Sequence, residues 1–310
     1  MTKLVAYIKP HLRWLMCGAT LFFLTSTFQN NWQDVAAIVL SPKDWLLVGL
    51  SFVGTLMAQT WAGWVWGGIL QEFDPTTDRW WATRTFLKTN IAKYLPGNIW
   101  HFYRRIRAAR DVGIPVETAT LSVALEALLM AASALLVAFL LADAGNWQWQ
   151  ALGLVVVATS IHPRILSPVA GRLSVLKAKA FRSRGIQPTP CSMQRYPLGP
   201  WLGELGFVLW RGMGFVLILI AVAPLGGDRL PLVVGVFSLA WLLGLILPGA
   251  PGGLGVFEVV VLALLDRSFP AGALLSAVAI YRVISILAEA GGAGLAWLNE
   301  RSREGKMARR

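Results

Sequence analysis

The chain alternates long apolar blocks with short, basic polar stretches. The blocks lack the three-to-four-residue stripe of a half-exposed helix, and several reach the roughly 20 residues that cover a bilayer core. Transmembrane helices are expected at about 12–29, 45–70, 117–142, 150–169, 202–224, 230–248 and 271–298. An eighth block, Leu254 to Leu265, is apolar but suits a short, broken or re-entrant helix. Basic residues precede the first block, as in a signal peptide, but no A-x-A-like site follows, so an uncleaved first span is expected. The expected fold is an all-α integral membrane protein with about eight transmembrane segments. It forms one polytopic domain over residues 1–310, ending in a short basic tail, 301–310.

Two interruptions share the tripeptide Leu-Pro-Gly: "KYLPGNIWHFYRR" at 93–105 and "LILPGAPGGLGVFE" at 245–258. Proline removes a backbone donor and glycine permits reversal. In hydrocarbon such backbone survives only where protein covers it or a wet cavity lines it. Two breaks in corresponding places also fit an internal repeat of the kind transporters use. The first break predicts a hairpin dipping from the cytoplasmic side, with its tip near Pro96 to Asn98; an amphipathic helix pair lying on the headgroups fits the same residues. The second predicts either a re-entrant turn or an ordinary tight loop. A helix starting near Gly253 to Val256 would present free amides, although no GKS or GKT follows and Glu258 would repel a nearby phosphate.

Charge fixes the orientation. The chain is 56% hydrophobic and only 14% charged, against about 25% charged in soluble domains. Three Lys/Arg precede the first span. Eight lie between the second and third, seven between the fourth and fifth, and five in the tail. The alternate loops hold only Lys43, Arg229 and Arg267. Both termini are therefore expected in the cytoplasm, with the block 254–265 completing an eighth crossing. The same bias accounts for the net charge of +12 without a nucleic-acid partner. Many of the tryptophans, among them Trp45, Trp201 and Trp297, fall near block ends, as interface belts do.

Chemistry-bearing motifs are sparse. Cys17 and Cys191 make no disulfide framework, and His11, His101 and His162 are too scattered for a metal site. No GxSxG or paired acidic loop cluster points to an enzyme, and no cofactor is expected. What stands out is six ionisable residues within apolar blocks: Glu126, Glu204, Arg211, Glu258, Arg282 and Glu289. Each costs roughly 2.5–3.5 kcal/mol at the bilayer centre even on permissive scales. Glu204 and Arg211 are seven residues apart, as are Arg282 and Glu289, so neither pair can bond along its own helix. Interhelical ion pairs are one reading. The other is a cavity in which Arg211 or Arg282 holds an anionic headgroup. Arg282, beside Tyr281, is the prime candidate; Glu204 reads as interfacial and His101 as a headgroup-level contact.

The order "KYLPGNIWHFYRR", Glu126 in the following helix, "PGAPGGLGVFE" and "YRVISILAE" resembles the lysylphosphatidylglycerol synthase transmembrane-region family, similar to the flippase domain of the multiple peptide resistance factor. The resemblance spans essentially the whole chain. It implies broken or re-entrant helices around a lipid-sized cavity, and movement of phospholipid, with an anionic or aminoacylated headgroup, across a bacterial inner membrane. It implies site positions at Tyr94, Pro96, Gly97 and Trp100, at Glu126, at Pro251, Gly252, Gly253, Gly255 and Glu258, and at Tyr281 and Arg282. The aminoacyl-transferring synthase domain of full-length relatives is absent from this sequence, so no aminoacyl-lipid synthesis is expected. Where many relatives carry an arginine after the helix glutamate, this chain has Ala127, which would leave a cavity charge missing. The expected function is a non-enzymatic lipid translocase. A small-solute secondary transporter, an integral enzyme on lipid-linked substrates and a scaffold subunit remain as rivals.

Overall fold

The structure is a computed structural model. It describes residues 39–95, 99–141, 196–247 and 251–307, with isolated positions between 29 and 159 besides. The expected spans 12–29 and 150–169, the hairpin tip 96–98, and the basic loop up to 195 lie outside the described residues.

Every described element is helical. Eight α-helices follow in order: α1 (Pro42–Phe73), α2 (Arg79–Asn90), α3 (Trp100–Asp111), α4 (Val116–Leu141), α5 (Leu198–Val222), α6 (Leu230–Ile246), α7 (Val256–Leu265) and α8 (Ala271–Met307). Short 3-10 turns at Ile91–Tyr94, Gly227–Arg229 and Pro251–Gly253 punctuate them. Among the described residues, five helical stretches are long and apolar enough to cross a membrane: Pro42–Phe73, Val116–Leu141, Leu198–Val222, Gly227–Ile246 and Ala271–Ser302. The chain is thus of the multi-pass membrane type. The expected spans 45–70, 117–142, 202–224, 230–248 and 271–298 each fall on one of these helices, and the short block is α7.

Local chemistry sets the helix ends. Ser41 and Asp44 form a capping box at the start of α1, with Pro42 in the first turn. Asp78 caps α2 by accepting from the Trp80 and Trp81 amides at 2.8 and 3.2 Å. Between these helices Asp74 folds the turn by accepting from Thr76.

Small residues let the long helices approach closely, as membrane packing favours. A Cβ on Gly63 would lie 3.0 Å from the Thr83 backbone, so α2 lies tightly along α1. On the opposite side α1 is knitted to α5, where the Trp61 indole donates to the Gly203 carbonyl at 2.9 Å and Ser51 to that of Gly214 at 2.8 Å. Helix α4 packs on α5 and α6, and α8 closes the bundle against α1, α2 and α5.

The two interrupted regions form two helical hairpins. One is α2 and α3, which pack on each other; the other is α6 and α7. The open end of the second is latched by Arg229, which donates to the Ser268 carbonyl at 2.8 Å and lies over the Phe269 ring. The tips of the two hairpins touch: the Ile91–Tyr94 turn packs on the Pro251–Gly253 turn.

Candidate functional site

Tyr94 and Gly252 make the contact between the tips. Gly252 has φ +60, in the left-handed region, and a Cβ there would lie 2.7 Å from the Tyr94 ring. Behind it, Gly253 packs on Gly244 of α6 at a distance that leaves no room for a side chain. Only glycines let the second break lie this close to both the first break and its own helix.

A cavity of about 100 Å³ lies where the tips meet. That is space for several waters. The two breaks contribute Lys93, Tyr94, Gly252 and Gly253 to its wall, and the surrounding helices contribute Gln59, Arg105, Glu126, Arg211, Arg282 and Glu289.

Its polar wall is largely one connected network. Arg105 on α3, 1% exposed, donates to Glu126 of α4 at 2.6 Å and to the Asn90 side-chain oxygen at 3.4 Å. Asn90 donates to Gln59 of α1 at 3.1 Å, and Gln59 donates to Glu289 of α8 at 3.1 Å. Lys93 donates to the same Glu289 oxygen at 2.6 Å. The Arg105 guanidinium also lies 3.8 Å above the Phe86 ring. His101 lines the cavity as well. Its imidazole is buried there.

Across the cavity Arg282 is held by the second break. It donates to Glu258 at 2.5 Å and to the Gly252 and Gly253 carbonyls at 3.0 and 2.8 Å. Glu258 in turn accepts from the Gly255 amide at 2.5 Å, capping the start of α7. The free helix amides expected near Gly253 to Val256 are thus partly taken by the chain's own carboxylate. Tyr281 faces the cavity from an aromatic cluster with Phe215, Phe237 and Phe257, ring centroids 5.4, 5.7 and 6.0 Å away.

Arg211 is the exception. It is 5% exposed, donates only to the Ser285 hydroxyl at 3.3 Å, and leaves Nε and Nη1 without partners among the described residues. The three neighbouring cations, Lys93, Arg105 and Arg282, each have a glutamate. The lining therefore carries one positive charge more than its carboxylates match. Glu204 does not supply the balance: it lies two turns away on α5, about 10 Å along the axis, and bonds to nothing described.

Of the residues singled out from sequence, Tyr94, Glu126, Arg211, Gly252, Gly253, Tyr281 and Arg282 line the cavity, and Glu258 sits directly behind Arg282. Pro96 and Gly97 lie outside the described residues. Trp100 falls outside the lining, edge-on to Tyr103 at 6.3 Å. Two readings are corrected. Glu204 is fully buried rather than interfacial, because its helix α5 packs against α1 and α4. His101 is buried in the cavity wall rather than at headgroup level. Ala127 lines the cavity, and the guanidinium beside Glu126 there is that of Arg105 on the neighbouring helix. Sequence reading missed Arg105, Lys93 and Asn90, which lie in or beside a polar stretch that hid their burial, and Gln59, an uncharged side chain in the middle of an apolar block. Among the described residues no group of three His, Cys, Asp or Glu could hold a metal ion. The chain matches no protein-family model and no curated protein.

Proposed function

We propose that this chain is a lipid translocase of a bacterial inner membrane, moving phospholipids with anionic headgroups between leaflets. The observation that carries this reading is Arg211: a buried, unmatched guanidinium in the wall of a cavity enclosed by two chain breaks. An uncompensated buried charge costs several kcal/mol, and a phosphate would neutralise it with two further charge-assisted hydrogen bonds. Ion pairs hold the other cations in place, so the free valence is directed at a guest. The motif order shared with the lysylphosphatidylglycerol synthase transmembrane-region family supports the same activity.

The proposed topology has both termini in the cytoplasm and two re-entrant hairpins. The α2–α3 hairpin enters from the cytoplasmic side and the α6–α7 hairpin from the opposite side. The depth of their tips supports this. Asn90 bonds Gln59 midway along α1, and Lys93 bonds Glu289 midway along α8. Helix α7, with 10 residues, is about 15 Å long, half the hydrocarbon thickness. A block this short does not complete the eighth crossing; it returns to the side from which α6 came.

The test is reconstitution in vesicles carrying a fluorescent phosphatidylglycerol, with leaflet exchange read by chemical quenching. Wild type is expected to exchange the lipid and Arg211→Ala to lose most of that exchange. No exchange above protein-free vesicles would sink the activity; equal exchange by the variant would sink the site. A second reading, transport of a small anionic solute, is favoured by the modest cavity volume. Uptake of inorganic phosphate with no lipid exchange would establish it instead.

A further inference from the structure

A second, larger recess of about 800 Å³ lies outside the central cavity, between α1, α2, α5 and α8. Its wall is apolar and unusually rich in tryptophan: Trp61, Trp64, Trp80 and Trp210, joined by Met57 and Leu295. Met57 and Leu295 are half exposed, so the recess opens outward from the bundle. One end is marked by the Trp64–Trp80 pair, ring centroids 5.1 Å apart, and the other by Leu56 and Leu87 closing on Gly292.

The recess is not purely apolar, because Arg84 of α2 lines it. The Arg84 side chain is 14% exposed and its Nε is buried without a partner among the described residues. Its nearest carboxylate, Asp78, stands 3.9 Å away and already accepts from two backbone amides at the start of α2. A second cation, Arg79, lies 5.4 Å over the Trp64 ring at the same end. Arg79 donates to the Gln71 side-chain oxygen, so Arg84 is left with one distant carboxylate that is committed elsewhere.

We propose that this recess binds one anionic phospholipid, an acyl chain lying along the tryptophan-lined wall and the phosphate on Arg84. An apolar slot with an unmatched cation beside it has the polarity of such a lipid, and it lies toward the end of α2 that the positive-inside pattern assigns to the cytoplasm. The chain itself offers a poorer occupant. The expected spans 12–29 and 150–169 contain no Asp or Glu, so as occupants of the slot they would leave Arg84 unmatched. The site does not depend on the translocase reading, since it would hold a lipid whether or not any lipid is moved.

The experiment is native mass spectrometry of the delipidated full chain, offered equal phosphatidylglycerol and phosphatidylcholine. Wild type is expected to retain one phosphatidylglycerol with about a tenfold preference, because phosphatidylcholine offers the same phosphate but adds a choline cation that is repelled by the arginines at this end of the slot. Arg84→Gln should abolish the preference. Met57→Trp should fill the slot and reduce retention of both lipids, while Val283→Ala, exposed on α8 away from both cavities, should leave retention unchanged. Equal retention of the two headgroups by wild type overturns the proposal, as does retention indifferent to both recess variants. Efficient cross-linking of Cys17 to Met57→Cys with no lipid retained would assign the recess to the first span.

Discussion

Arg105 is a buried charge held from several sides. Its guanidinium is taken up by Glu126 at 2.6 Å, by the Asn90 oxygen, and by the faces of Phe86 and Trp66. Taking two charges out of water is expensive, and breaking such a pair from one side leaves the other charge stranded. Glu126→Gln is therefore expected to destabilise the protein by about 3–5 kcal/mol. The double variant Arg105→Met/Glu126→Leu removes both charges and should lie nearer to wild type than Glu126→Gln alone. Thermal unfolding in detergent measures both; a double variant less stable than either single change would show that the pair is worth more than its desolvation costs. Glu126 was visible in the sequence because it interrupts an apolar block. Arg105 was not, because it stands among Arg104, Arg107 and Arg110, where a basic run reads as a solvated face. Burial within one turn of an exposed neighbour is a tertiary property, created here by α2 and α4 closing over one side of α3.

Among the elements, the five long helices were legible because hydrocarbon demands uninterrupted apolar length, and length survives without any knowledge of neighbours. The breaks were legible as breaks. Their meeting was not, since nothing in either Leu-Pro-Gly motif encodes the other's position. What joins them is the fit of the Tyr94 ring against Gly252. That fit imposes two separate demands at one residue, a left-handed backbone and no side chain. Gly252→Ala should cost about 1–3 kcal/mol from the backbone alone, with the clash against Tyr94 added. Gly252→Ala combined with Tyr94→Ala relieves the clash but not the dihedral. The double variant is therefore expected to recover part, not all, of the lost thermal stability. Full recovery would mean that the dihedral carries no strain, and no recovery that the ring is not the obstacle.

At the scale of the whole molecule, the proposed topology has the two hairpins divide the bilayer between them. It would place irregular backbone at mid-depth, where only protein or a wet cavity can satisfy it. If they enter from opposite faces, the two ends of each hairpin share one side of the membrane, and the two hairpins differ. Single cysteines can read this in a background with Cys17 and Cys191 replaced. Thr76→Cys and Gly113→Cys flank the α2–α3 hairpin and should react with a membrane-impermeant maleimide only from the cytoplasmic face. Asp228→Cys and Ser268→Cys flank the α6–α7 hairpin, on either side of the Arg229 latch, and should react only from the opposite face. Labelling of all four from one face would place the hairpins on the same side and overturn the proposed topology. Leu254→Cys separates this arrangement from a full eighth crossing. At a re-entrant tip it is reached from neither bulk phase by a bulky reagent, whereas in an ordinary cytoplasmic loop it would label as readily as Gly113→Cys.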